Sequence, residues 1–167
     1  MADILCFFRN RCNTVEQVDE FTIRSSCHLQ DPLTEAHVQI LVKTPDLEII
    51  SAAGNIIRSV QEAEFDVDES LRNVSGVRIG PGLKKIIAGI MGNTELHRLL
   101  TNMLEECCSS VILSFTKDVL LHAPKDKLGE KDYFENIVRS NPRLYNSCAA
   151  FAPGSPLVEG IKRSDGV

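Results

Sequence analysis

The chain has no apolar run approaching the roughly 20 residues that a membrane-spanning helix needs, and no membrane partner is expected. It has no basic excess either: 18 Lys and Arg stand against 23 Asp and Glu, for a net charge of −5. A nucleic-acid binder normally shows a basic stripe, so no nucleic-acid partner is expected. The first residues, Met1-Ala2-Asp3-Ile4-Leu5-Cys6-Phe7-Phe8, carry an acid where a signal peptide carries basic residues, and their apolar run is too short for one. The expected location is cytoplasmic. None of the six cysteines, Cys6, Cys12, Cys27, Cys107, Cys108 and Cys148, forms a Cys-x-x-Cys pair, and no histidine spacing completes a zinc pattern. No metal site is expected, and the thiols read as reduced, small buried hydrophobes. Adjacent Cys107 and Cys108 diverge by about 100° if helical, so the two do not turn easily to one ligand. No Ser/His/Asp order, paired-carboxylate geometry or His-Glu-x-x-His pattern is visible. Internal repeats and low-complexity tracts are absent as well.

What is present is ordinary for a folded domain: 167 residues, 43% hydrophobic and 25% charged. The first third alternates. Phe21, Ile23, Ser25, Cys27 and Leu29 share one face of a strand over residues 20–29, with Thr22, Arg24, Ser26 and His28 on the other. Asp31-Pro32-Leu33 breaks it. Residues 36–43 alternate again, with Val38, Ile40 and Val42 inward and His37, Gln39 and Lys43 outward. Thr44-Pro45-Asp46 reads as a turn, and residues 47–53 as a third strand. An earlier strand is expected within residues 6–15. Short turns between successive strands imply an antiparallel meander.

Helices follow. Asp66 with Glu69 resembles a capping box, which starts a short helix near Val67. Gly80-Pro81-Gly82 opens a second helix with Leu83, Ile86, Ile87, Ile90 and Met91 as its apolar face, closed by Gly89 and Gly92. Asn93 or Thr94 caps a long third helix reaching about Leu121. Its stripe is Leu96, Leu99, Leu100, Met103, Leu104, Cys107, Val111, Ile112 and Phe115. Residues 122–129 read as a polar, mobile linker, and residues 131–139 as a fourth helix bearing Tyr133, Phe134, Ile137 and Val138, ended by Asn141-Pro142. Residues 144–158 add a strand or cover the core. The expected fold class is α+β: an antiparallel three- to four-stranded meander packed against a C-terminal set of helices with one long central helix. Residues 1–158 form a single domain in this reading, and 159–167 a frayed tail.

Three groups of residues are candidates for function. The first is the turn in Gly76-Val77-Arg78-Ile79-Gly80-Pro81-Gly82, where a helix N-terminus at Gly82, Leu83 and Lys84 would point backbone N–H groups at a carboxylate or phosphate, aided by Arg78, Lys84 and Lys85. Its ligand-binding set is Arg78, Gly80, Gly82, Leu83 and Lys84. The competing reading is a structural hinge between sheet and helices. The second is His97, at the edge of the long helix's stripe in line with Thr101, Leu104 and Cys108, either a base or a boundary histidine bonded to a nearby loop. His97 and Cys108 lie about 16 Å apart along a helix, too far to share a metal. The third is His28 and His37, outward on neighbouring strands, with Arg9 and Arg11 nearby in sequence.

Asp31-Pro32-Leu33, the strand pair after it, the Arg78-Ile79-Gly80-Pro81-Gly82 segment, the Gly92 helix start, and Cys148 with Gly154 to Val158 occur in an order that resembles a widespread bacterial single-domain family of unknown function. The resemblance spans residues 9–158. Members often open the long helix with Gly-Cys-x-His-Leu; here Leu96, His97, Arg98, Leu99 and Leu100 stand at those places. His97 replaces the cysteine and Leu99 the histidine, so a thiol or metal role is not carried over. A more remote analogy is to NifU-type iron–sulfur scaffold proteins, whose ligand cysteines have no counterpart at the Gly54-Asn55 turn or at His97. The resemblance assigns no chemistry, and the cofactor is left unknown. The expected function is a small binding or accessory protein, taking a small anionic ligand at the Pro81 turn or assisting a partner enzyme. The alternatives are an enzyme with a histidine base, drawn from His97, His28 or His37, and a NifU-like metal or cluster carrier.

Overall fold

The computed structural model describes residues 6–44, 46–61, 65–140, 142–146 and 149–161, without the side chains of Asp118, Lys127 and Arg143. Pro45, Asn141, Cys148 and the tail beyond 161, named above from the sequence, lie outside the described residues. Four strands, β1 (Asn10–Asp19), β2 (Thr22–Gln30), β3 (Glu35–Lys43) and β4 (Glu48–Arg58), form one antiparallel sheet in chain order. Four helices follow: α1 (Val67–Arg72), α2 (Leu83–Ile90), α3 (Glu95–His122) and α4 (Lys127–Ser140). The α+β meander packed against helices is therefore present. The chain divides into two compact units, Met1–Ser114 and Phe115–Val167.

The core of the first unit follows from the alternation of the two central strands. Ile23, Ser25, Cys27 and Leu29 of β2, and Ala36, Val38, Ile40 and Val42 of β3, are buried, while every residue between them is not. A strand with one wetted and one covered face has this period of two. The covering layer is α3, whose Leu100, Met103, Leu104, Cys107, Cys108 and Val111 are buried, together with Leu71 of α1 and Leu83 and Ile87 of α2. Asp66 caps α1 by accepting the Glu69 N–H at 3.0 Å. Thr94 Oγ1 accepts the His97 N–H at 3.2 Å at the start of α3. Both caps satisfy a donor that the first helical turn cannot.

Several expectations are corrected. Phe21 lies in the β1–β2 turn and is exposed. In α2 the buried row is Leu83, Ile87 and Met91, spaced by four, while Ile86 and Ile90 face outward. Gly89 lies inside α2, and Met91 is its C-cap. Leu99 and Ile112 are half-buried and Phe115 is exposed, but Cys108 is buried. The helix thus buries an arc wide enough for both adjacent cysteines. Helix α4 begins at Lys127 because Asp126 caps it, accepting the Gly129 N–H at 2.7 Å; the expected linker shrinks to residues 123–126. In the second unit, Phe134 and Val138 of α4 pack with Phe151 and Val158. Residues 142–144 and 149–151 form 3-10 turns rather than a strand.

Candidate functional site

The sheet buries one face and leaves the other wet. Register places the outward residues in rows across all four strands. One row is Cys12, His28, His37 and Asn55; the next is Thr14, Ser26, Gln39 and Ala53; beside the first, at the sheet's end, lie Asn10, Gln30, Glu35 and Arg58. His28 and His37 are direct cross-strand partners, their ring centroids 6.4 Å apart. The sequence puts both outward, and the structure brings them together.

A chain of charges runs from this pair into the fold. Glu35 Oε1 lies 3.7 Å from His28 Nε2, and Glu35 Oε2 lies 3.4 Å from Arg58 Nη2. Arg58 also donates to the Asp31 carbonyl at 2.7 Å, and Arg9 pairs with the Asp31 carboxylate at 2.8 Å. Glu35 is thereby held by a cation on one side and faces the imidazole on the other. This arrangement orients the His28 ring toward Glu35. Cys12, exposed, stands opposite His28 on the neighbouring strand. Sequence reading missed Cys12, Glu35 and Arg58 as neighbours of the histidines. The alternation carried a signal for Glu35, which falls on the outward parity of β3. Arg58 reaches its place only through a β-bulge that leaves Ile57 without a partner.

The structure does not bring His97 to this face. It sits on the helical layer, half-buried, with Nδ1 2.8 Å from Thr94 Oγ1 and its ring stacked on Phe65 at 3.7 Å and 17°. Gly92 lies under the ring: a Cβ there would come within 2.7 Å of it. These contacts are those of a histidine tied to its neighbouring loop.

At the Pro81 turn, residues 76–79 pair with the start of β4 through the Ile79 N–H to Leu47 carbonyl bond at 2.8 Å and the Ile49 N–H to Val77 carbonyl bond at 2.9 Å. Gly82 takes φ 84° as the N-cap of α2, a conformation that favours glycine. The Leu83 N–H donates back to the Gly80 carbonyl at 3.2 Å. Arg78 faces Glu48 at 3.7 Å, and Lys84 faces Glu105 at 3.0 Å. Arg78 and Lys84 therefore each have a carboxylate beside them, which offsets part of the positive field an anion would seek.

The buried thiols are poor nucleophiles. Burial first, then the Glu106 carboxylate, pushes Cys27 up to about 12, and burial with Glu105 pushes Cys108 up to about 12. Burial also raises Cys107. The thiolate is the reactive form, so these groups stay inert at neutral pH. Among the described residues no group of three or more His, Cys, Asp or Glu is placed to hold a metal ion, and no helix is long and apolar enough to cross a membrane. No protein-family model matches the chain, and neither the curated proteins nor the solved structures contain a match.

Proposed function

We propose that the chain is a small binding or accessory protein that engages a small acidic ligand, or an acidic group on a partner, through the open face of its sheet. The observation that carries this reading is the His28–His37 pair at 6.4 Å on an uncovered face, backed by Glu35 and Arg58. Imidazole N–H groups donate hydrogen bonds to a carboxylate or phosphate, and the flanking Gln39, Ser26 and Asn55 add further polar partners. The Pro81 turn is the competing place, where Arg78 and Lys84 face Glu48 and Glu105 much as His28 and Arg58 face Glu35 on the sheet.

The test is a thermal-shift and NMR titration with inorganic phosphate and a panel of mono- and dicarboxylates. The His28 and His37 ring signals should move first, and His28→Ala with His37→Ala should remove the protection while leaving the empty protein nearly as stable, since both side chains are half-exposed. Protection that survives this double variant and disappears in Lys84→Ala would instead place the ligand at the Pro81 turn.

One observation favours an enzyme as the second reading. His28 has a carboxylate at 3.7 Å to orient it and a thiol-bearing strand position opposite it, the relation of a base to its orienting group. In that reading His28→Gln abolishes turnover of a small substrate and leaves its binding intact.

A further inference from the structure

The two edges of the sheet are treated differently. The β4 edge is covered: the Ile49 N–H and carbonyl pair with Val77 and Gly76 at 2.9 and 2.7 Å, the Leu47 carbonyl with Ile79 at 2.8 Å, and the Gly54 N–H with Asp68 Oδ1 at 3.3 Å. Strand β1 forms the other edge. It is ten residues long, nine of them exposed, and among the described residues it pairs with β2 alone. Unpaired edges are hazards that proteins blunt with proline, lysine, bulges or brevity. Between Asn10 and Gln17, β1 has no proline, no lysine and no irregularity of register. Over this stretch its pairing with β2 is regular, and the irregularity between Gln17 and Asp19 is confined to its far end, so the outer edge can accept another strand.

We infer that the free edge of β1 docks a second copy of this chain, the two β1 strands pairing antiparallel about a twofold axis. Three features select a second copy over an unrelated strand. First, exposed apolar side chains flank both ends of β1. Phe7 and Phe8 precede it, 53% and 38% exposed, and Val18 and Phe21 lie at its far end, 46% and 54% exposed. Antiparallel self-pairing lays the start of each strand beside the end of the other: with the twofold axis at Val15, each copy's Phe8 comes beside its partner's Phe21 at the hairpin tip, Val18 falls opposite Cys12, and Arg11 falls opposite Asp19. Second, with the axis at Val15, Glu16 faces Thr14 and Asn13 faces Gln17, and neither Arg11 nor Glu16 meets its own copy. Third, Val15 packs against the core of its own copy, and the axis joins the two Val15 side chains on the helical side of a continuous eight-stranded sheet. A surface that complements itself at its ends and its centre is what a twofold interface requires.

The experiment is sedimentation velocity of the full chain across a concentration series, with hydrogen exchange of the β1 amides at each concentration. The expected result is a reversible dimer in which β1 amides gain protection as the dimer forms. Phe8→Lys with Val18→Lys puts like charges at both ends of the interface and should raise the dimer dissociation constant by about tenfold or more. Far-UV circular dichroism and thermal unfolding of the same variant check that the monomer is intact. A monomer at every concentration overturns the inference. So does a dimer whose β1 amides exchange no more slowly than in the monomer, or whose dissociation constant the well-folded double variant leaves unmoved. A monomer with a protected β1 edge overturns it too, and assigns the edge to another segment of the same chain.

Discussion

At the β2–β3 hairpin one carboxylate does what a longer loop would otherwise need several groups to do. The Asp31 side chain is fully buried, accepts the Leu33 and Thr34 N–H groups at 2.8 and 2.7 Å, and takes the Arg9 Nε at 2.8 Å. Burial alone would raise its pKa, but the two backbone bonds and Arg9 outweigh it and hold the carboxyl below its ordinary value of 3.8. A depressed folded-state pKa means that Asp31 contributes stability above the unfolded value and loses it as pH falls through the folded one. Urea unfolding of the wild type should therefore weaken as pH drops from neutral through 3.8 and below. Asp31→Asn should be less stable at neutral pH and flatter over the acid range. An unchanged acid slope would mean that other carboxylates set it. At Gly92 the argument is steric. A Cβ would sit 2.7 Å from the His97 ring, so Gly92→Ala should push that ring off Phe65. The His97 ring protons would then lose the upfield shift of a stacked aromatic neighbour, which one NMR spectrum of the variant decides.

At the scale of elements, the alternation of β2 and β3 is legible because each strand has one face in the core and one in water. The same rule fails for β1, which is wet on both faces and so shows no alternation to read. In α2 the apolar residues outnumber the buried row, and only packing separates Ile87 from Ile86. Histidines 28 and 37 are legible as outward-facing, but not as partners. Their pairing depends on the hairpin register Gln30 to Glu35, which the Asp31 turn sets; a shift of two residues would keep both outward and part them. Glu35 and Arg58 were out of reach for the same reason, with a bulge added. Two substitutions test the packing of these elements. Leu104, fully buried between α3 and the sheet, should cost about 2–5 kcal/mol on truncation to Ala. Gly54 is crossed by α1, and a Cβ there would lie 2.5 Å from the His37 carbonyl and 2.9 Å from Leu71 Cδ1. Because a strand carbonyl yields less than a side chain, Gly54→Ala should cost about 1–3 kcal/mol by overpacking. Denaturant midpoints at constant m-value measure both.

On the scale of the molecule, the buried thiols report how the first unit opens. Cys27 belongs to β2, Cys107 and Cys108 to α3, and all three are at most 1% exposed. Cys107 is held from inside: its thiol donates to the Val38 carbonyl at 3.7 Å, and its own carbonyl accepts the Ser25 hydroxyl at 2.9 Å. Reaching it requires the sheet and α3 to separate. Cys27 is different. Its thiol faces Glu106 at 3.7 Å, and that carboxylate is held by Arg11 and by Asn13 at 3.1 Å, both on the wet edge strand β1. Detachment of β1 alone would remove the cover from Cys27 and leave the helix packed on β2 and β3. Edge elements with few buried contacts open at lower free energy than the core. With Cys6 and Cys12 replaced by serine, pulsed alkylation read by peptide mass spectrometry should show Cys107 and Cys108 labelling together at the rate of global unfolding. Cys27 should label faster, and faster still in Arg11→Ala. If β1 also docks a second copy, the Cys27 rate should fall as protein concentration rises while the other two stay fixed. One common rate for all three thiols, unmoved by Arg11→Ala, would show instead that β1 leaves only when the whole sheet does.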